Sequence, residues 1–203
     1  MRKLLGLLIV FCGVMGLTYI VLSLTKQHQV PSYGTILNQP RDIVAFSLKG
    51  IDSKSFTNQN LIGQWTMLFF GFTNCASICP TTMAHLAQMR HILQLHKIQP
   101  LPRVVMISVD PQRDTLDKLY KYVTAFNPAF YGARGEQHEI RKLANNLGIA
   151  YAKFVNKNNS TTGYDIQHSG AVLLFNPQAK LVAFFTSTAN PGLLAKNYIQ
   201  LIN

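Results

Sequence analysis

The sequence predicts an α/β domain of thioredoxin-like order, with an N-terminal β-hairpin extension and one transmembrane helix ahead of it. Three observations carry that expectation. Leu4 to Leu24 is a run of 21 residues without a charge. Two continuous apolar segments, Gln64–Phe72 and Val104–Val109, are each followed by apolar residues at helical spacing. A late pair of apolar runs around Asn176-Pro177-Gln178-Ala179-Lys180 precedes a closing amphipathic stretch that starts at Pro191. Strand, helix, strand, helix, hairpin and helix, in that order, make a thioredoxin-like succession.

The N-terminal run comes first. As a helix its 21 residues span roughly 31 Å, about the thickness of a bilayer core. A cleaved signal peptide has a shorter apolar region, about 7–15 residues, and no A-x-A-like site follows Leu24. Ile9-Val10-Phe11 before Cys12 lack the small residues of a lipoprotein cleavage site. Residues 1–25 therefore read as an uncleaved anchor. Arg2 and Lys3 against Lys26 favour a cytoplasmic N-terminus. The domain is then expected in the periplasm, single-pass on a bacterial inner membrane, or facing the intermembrane space if the chain is mitochondrial. Residues 26–40 are polar, with Pro31, Gly34 and Pro40, and read as a tether to a domain over 41–203.

Within that domain Val44, Phe46 and Leu48 alternate, Lys49-Gly50 turns, and Ser55-Phe56-Thr57 returns, which predicts the early hairpin. Gln64–Phe72 has the uninterrupted apolar character of a strand covered on both faces. Pro80 suits a helix start, and Met83, Leu86, Met89 and Leu93 continue the helix to about Leu95. Val104–Val109 is a second buried strand. Asp114 is expected to begin and cap the next helix, with Asp117 three residues on and Leu119, Val123 and Phe126 on one face. A third helix runs from about Glu136 to Leu147 and stops at Gly148. Ile149–Phe154 is a short strand, Gly170–Phe175 and Leu181–Phe185 form the late hairpin, and Pro191–Ile202 is the last helix.

Composition narrows the function. A charged fraction of 13% beside a hydrophobic fraction of 48% excludes a disordered chain. The net charge of +11 includes Arg2, Lys3 and Lys26; without them 16 basic residues face 8 acidic ones. No basic run with interleaved aromatics appears, so nucleic acid is not an expected partner. An acidic partner or anionic lipid remains compatible with the surplus. Three cysteines are too few for a disulfide scaffold, and only Cys75 and Cys79 fall in the folded part.

Those two thiols sit in the loop from a buried strand into a helix, where free N–H groups favour thiolate. Thiolate is both a redox nucleophile and a soft metal ligand. A pair of thiolates suits Cu(I) or Zn(II), and either ion needs a further donor. His168, just before the apolar strand Gly170–Phe175, is the best-placed candidate. Two sulfurs and one nitrogen fit three-coordinate Cu(I) better than a closed zinc site. His85, His91, His96, His138 and His28 read as surface or structural histidines, and Met83 and Met89 as core. Asp110, in Asp110-Pro111-Gln112-Arg113-Asp114-Thr115 after the second strand, is either a turn residue or a group that supports the cysteine loop from behind.

Phe70-Gly71-Phe72-Thr73-Asn74-Cys75-Ala76-Ser77-Ile78-Cys79-Pro80-Thr81-Thr82-Met83, Ile107-Ser108-Val109-Asp110-Pro111-Gln112-Arg113-Asp114-Thr115 and His168-Ser169-Gly170 together resemble the Sco/SenC family of copper-binding, thioredoxin-like proteins for cytochrome c oxidase assembly. The resemblance runs from about Arg41 to Ile202. It implies that Cys75, Cys79 and His168 bind copper, as Cu(I) or Cu(II). It also implies a partner in cytochrome c oxidase subunit II, whose domain carries the binuclear CuA centre. The chain departs from the family in having Gln167 where Asp often precedes the histidine, and Ala76-Ser77 where an acidic residue often stands between the cysteines.

Three roles share these residues. The first is a copper metallochaperone that passes its ion to CuA, supplied by an upstream copper donor. The second is a thiol–disulfide oxidoreductase specific for the CuA cysteines, with Cys75 and Cys79 as its redox pair and a thiol reductant behind it. Whether the chain is an enzyme turns on that choice. Val155–Asn176 contains no proline, and Ser169-Gly170 stands where ordinary thioredoxins carry a cis-proline, which argues against a general reductase. A redox or copper sensor ranks third.

Overall fold

A computed structural model describes residues 34–154 and 163–202 of the chain. The expected anchor and the first part of the tether lie outside the described residues. Among the described residues no helix is long and apolar enough to cross a membrane.

The chain builds ten strands and four helices around one short 3-10 turn, Asn58–Leu61, within the described residues. In order they are β1 (Gly34–Arg41), β2 (Ser47–Gly50), β3 (Ser55–Thr57), β4 (Thr66–Gly71), α1 (Ile78–Leu95), β5 (Arg103–Ser108), α2 (Leu116–Phe126) and β6 (Tyr131–Arg134). The second half adds α3 (Gln137–Asn146), β7 (Tyr151–Phe154), β8 (Asp165–His168), β9 (Val172–Phe175), β10 (Leu181–Phe185) and α4 (Pro191–Ile202). Eight strands form one mixed sheet in the order β1-β10-β9-β4-β5-β6-β2-β3, and β7 pairs with β8 in a separate ribbon. This is an α/β, thioredoxin-like fold with the expected early hairpin.

Burial explains the centre of the sheet. Every residue of β4 is buried, as are Val104 to Ser108 of β5. β4 runs parallel to β5 and antiparallel to β9, so the two central strands end at the same edge. The crossover between them is α1, whose buried face is Cys79, Thr82, Met83, Leu86, Met89 and Leu93. α4 packs on α1. Tyr198, fully buried on α4, donates its hydroxyl to the Pro100 carbonyl at 2.6 Å and meets Trp65 edge-on. α3 closes with Gly148 at φ +72°, its N–H on Asn145 O, while the Ile149 N–H reaches back to Ala144 O. That paired pattern needs a left-handed residue after the helix, which Gly148 supplies without strain.

The structure departs from the sequence reading at four places. Residues 34–40, expected in the tether, belong to β1, which pairs antiparallel with β10 through Thr35↔Phe184 and Ile36↔Ala183. The segment is polar because it is an edge strand: only Ile36 and Leu37 lean on the core, and an edge tolerates Pro40. β6 was not anticipated, since Tyr-Gly-Ala-Arg is too short to show a period; it joins the early hairpin to β5. His168, expected only as a residue ahead of the strand Gly170–Phe175, ends a strand of its own, β8. Thr115, not Asp114, caps α2, its side chain accepting from the Lys118 N–H.

Candidate metal centre

The loops after β4 and β5 face each other because both strands run the same way. Val109 N–H donates to Gly71 O at 2.9 Å, and Asp114 joins the loops by side chain. One of its oxygens accepts from Thr73 Oγ1 at 2.6 Å. The other accepts from Thr73 N–H at 3.1 Å and Ser108 Oγ at 2.6 Å. The carboxylate is fully buried, and it sets the height of the turn that delivers Cys75.

Cys75 closes that turn, donating its N–H to Phe72 O at 3.2 Å. Its sulfur then accepts the Cys79 N–H at 3.4 Å, in the first turn of α1. That turn holds no acidic residue, and Ser77 makes no side-chain cap bond. The Cys75 sulfur thus stands where a cap would, on the positive end of the helix. The Cys79 thiol beside it holds the Cys75 thiol down to about 3, helped by the N–H groups of Cys79 and Ser77 and opposed by partial burial. The same pairing, reinforced by burial, pushes the Cys79 thiol far up. Ionisation is therefore favoured at the half-buried Cys75 sulfur and disfavoured at the buried Cys79 sulfur.

Cys79 has a second neighbour. Its sulfur lies 3.2 Å from His168 Nε2 and accepts the Phe72 N–H at 3.5 Å. His168 Nδ1 lies 3.0 Å from the Ser169 carbonyl oxygen, which can only accept, so Nδ1 carries the proton and Nε2 presents a lone pair. The imidazole stands edge-on to Phe69 and Phe72, with ring centres 5.8 and 5.6 Å away. Two glycines make room: a Cβ at Gly71 would lie 2.9 Å from Cys79 Sγ and 2.6 Å from the Phe69 ring, and one at Gly170 would lie 3.0 Å from Ile78 Cδ1.

The three donor atoms all lie within 4.8 Å of one another. Donors about 2.0–2.3 Å from one shared ion stand about 3.5–4 Å apart in a trigonal set, so a small opening admits a metal. Two soft sulfurs and an imidazole nitrogen suit Cu(I). Among the described residues no other His, Cys, Asp and Glu group converges in this way. A cleft of about 340 Å³, lined by Tyr151, Gln167, His168 and Ser169 among others, opens on the histidine side.

Asp110 lies behind this constellation and is not a ligand. It is 2% exposed and accepts from Tyr164 Oη at 2.6 Å and from Arg113 Nε. His85 binds Thr188 Oγ1 at 3.3 Å, and Met83 and Met89 are buried in the core.

The family model described as SCO1/SenC matches residues 37–203. The chain belongs to the SCO1/SenC family. Among SCO relatives, the mitochondrial SCO1 homolog 1 of Arabidopsis thaliana is 36% identical over 158 residues, 77% of this chain and 46% of that protein. The SCO2-like protein of Rickettsia felis is 32% identical over 180 residues, 87% and 85% of the two chains. The chain thus spans under half of the plant SCO protein and most of the rickettsial one. The crystal structure of Arabidopsis thaliana ScoI with copper bound superimposes with a TM-score of 0.72 at 32% identity, covering 79% of this chain and 97% of that one.

The sequence reading singled out Cys75, Cys79, His168 and Asp110, and the structure brings the first three together. It missed Asp114 as the tie between the loops, Gly71 as the space for a sulfur, and the Ser169 carbonyl that sets the tautomer. Asp114 carried one usable signal, its place one residue before a Thr that is itself a good cap.

Proposed function

We propose that this SCO1/SenC chain binds one copper ion through Cys75 Sγ, Cys79 Sγ and His168 Nε2 and carries it to the binuclear CuA centre of cytochrome c oxidase subunit II. The observation that carries the reading is the convergence of two sulfurs and one tautomer-fixed nitrogen within 4.8 Å. Copper is here a cargo. Three donors leave a coordination position open, so an acceptor cysteine can enter before any donor leaves. Cys75, the half-buried sulfur, is the donor an acceptor reaches first. The family membership and the copper-bound plant structure support the same reading.

The test uses the full reduced chain. Titration with Cu(I) against a chromophoric chelator is expected to give one ion per chain, strongly weakened in His168→Ala and lost in Cys75→Ser. Mixing the loaded chain with an apo CuA domain should move copper while thiol counts stay constant. Retention of full affinity in His168→Ala would show that the nitrogen ligand is misassigned.

The division of charge between the two sulfurs favours a second reading, reduction of the CuA disulfide. The Cys75 thiolate attacks one acceptor sulfur, the acceptor S–S bond breaks, and a mixed disulfide forms. Cys79, once deprotonated, attacks Cys75 Sγ and frees the acceptor dithiol, leaving Cys75–Cys79 oxidised until an external thiol reductant restores it. Thiol exchange without copper movement in the same mixing experiment would favour this reading.

For the rest of the chain we infer a membrane anchor over residues 1–25 and a tether that ends before Gly34. The domain then faces the periplasm, or the intermembrane space in a mitochondrion. The uncharged run Leu4–Leu24 supports this.

A further inference from the structure

His168 reaches the cysteines from a ribbon of only two strands, β7 and β8, that stands apart from the main sheet. Within the ribbon Tyr151↔His168 and Lys153↔Ile166 are paired, which aligns the strand without attaching it to the cysteine loop. What attaches it is a cluster at its foot. Tyr164, one residue before β8, donates its hydroxyl to the buried Asp110 at 2.6 Å. Arg113 holds the other Asp110 oxygen through Nε and donates from Nη1 to the Tyr164 carbonyl at 3.1 Å. Its guanidinium carbon also lies 3.9 Å from the Tyr164 ring centre. Lys153, on β7, sets Nζ 3.4 Å from the same ring centre and donates to Gln112 Oε1 at 2.7 Å.

The cluster continues towards the metal ligands. The same Arg113 guanidinium lies 5.7 Å from the Phe72 ring centre. Phe72 is edge-on to the His168 imidazole, and its N–H donates to Cys79 Sγ. One arginine therefore touches the foot of the strand that carries His168 and the aromatic wall against which its ring leans. Gln167, the residue before the histidine, is exposed and has no described bond to the imidazole, so the ring's orientation rests on the Ser169 carbonyl, the two phenylalanines and this cluster.

We propose that Arg113 and Tyr164, anchored on Asp110, are positioning residues for His168: they fix the foot of β8 and the Phe72 wall so that Nε2 is held over the two sulfurs. The proposal rests on His168 being the nitrogen ligand. Neither residue touches the ion.

The experiment is a double-mutant cycle on the full reduced chain, read as Cu(I) affinity by chelator competition. Arg113→Met, which keeps bulk and removes the fork, is expected to weaken binding roughly tenfold, the usual scale for losing a partner behind a metal ligand. Tyr164→Phe keeps the ring and removes only the hydroxyl bond, and is expected to weaken binding roughly two- to fivefold. Both losses should vanish when the same changes are made in His168→Ala, because there is no nitrogen left to position. Arg113→Lys, which restores the charge beside Asp110 but not the fork, should recover part of the loss. In the Cu(II)-loaded chain the nitrogen splitting of the electron paramagnetic resonance signal should weaken in Arg113→Met.

An equal loss in both backgrounds would overturn the proposal, since the cluster would then be supporting the fold as a whole. So would unchanged affinity in Arg113→Met and Tyr164→Phe while His168→Ala still binds weakly. Unchanged affinity in His168→Ala alone would remove the ligand assignment, and the positioning role with it. If Arg113→Met does not fold, the volume-conserving Tyr164→Phe decides.

Discussion

The unequal protonation of the two sulfurs predicts how copper binding responds to pH. Both thiols must be thiolates to act as ligands, so any proton still present is released when the ion binds. Cys75 is held down to about 3, so near neutrality it has no proton to give. Cys79 is pushed far above the ordinary thiol value and keeps its proton until the ion takes its place. Up to about pH 8.5, the ordinary thiol value, the two sulfurs therefore release about one proton per ion bound. The apparent Cu(I) affinity should rise with pH by about tenfold per unit, equivalent to about 1.4 kcal/mol. Two ordinary thiols, both protonated in this range, would release about two protons and give about a hundredfold per unit. The assay is competition for Cu(I) at a series of pH values, corrected for the competitor, with calorimetry in buffers of different ionisation enthalpy as a direct proton count. A slope of two would refute the proposed thiolate at Cys75. In Cys79→Ser the slope should fall to about zero, and the affinity with it.

Three further outcomes follow from the packing. Asp114→Ala removes a buried acceptor of three hydrogen bonds, leaves their donors unpaired, and should lower stability by about 3–5 kcal/mol. That is roughly 10 °C in the melting midpoint for a domain of this size, with Asp114→Asn recovering part; a midpoint within about 2 °C of the parent would contradict the role of this tie. Gly71→Ala forces a carbon to 2.9 Å from Cys79 Sγ, and should cost about 1–3 kcal/mol while weakening copper binding in competition assays. Cys75, a thiolate above about pH 3, should be alkylated by iodoacetamide at a nearly constant rate from pH 5 to 8, whereas a free thiol would speed up about tenfold per unit. Peptide mapping after brief labelling should find the adduct on Cys75 and not on Cys79.

What could be read in advance depended on how far apart the cooperating residues lie in the chain. β4 and β5 are buried on both faces, and that leaves an unbroken apolar run which no other arrangement produces as simply. Pro191–Ile202 was legible from its apolar spacing. β1 was not, because an edge strand with Asn38, Gln39 and Pro40 turned to solvent has the composition of a linker. β6 and β8 are four residues each, too short for a period to stand out. The site was legible by chemistry: two thiols at a helix start ask for a third soft or nitrogen donor, and His168 was the one placed before the right strand. Asp114 was misread because local rules favour an acidic cap. Its real partner, Thr73, lies 41 residues earlier, beyond any local pattern.

The same separation governs the ligands themselves. Cys75 and Cys79 are neighbours in any state of the chain, but His168 follows Cys79 by 89 residues and meets it only in the assembled fold. An unfolded chain therefore offers an ion two donors, while the folded chain offers three. Whatever binds the folded form better must also stabilise it by mass action, by at most about 2.7 kcal/mol when the free ion exceeds its dissociation constant a hundredfold, and by less to the extent that the two cysteines of the unfolded chain hold the ion too. A chain with copper bound is then the sturdier one, and a chain without it is the one that opens more readily to a protease. Copper occupancy and resistance to degradation become two readings of a single equilibrium.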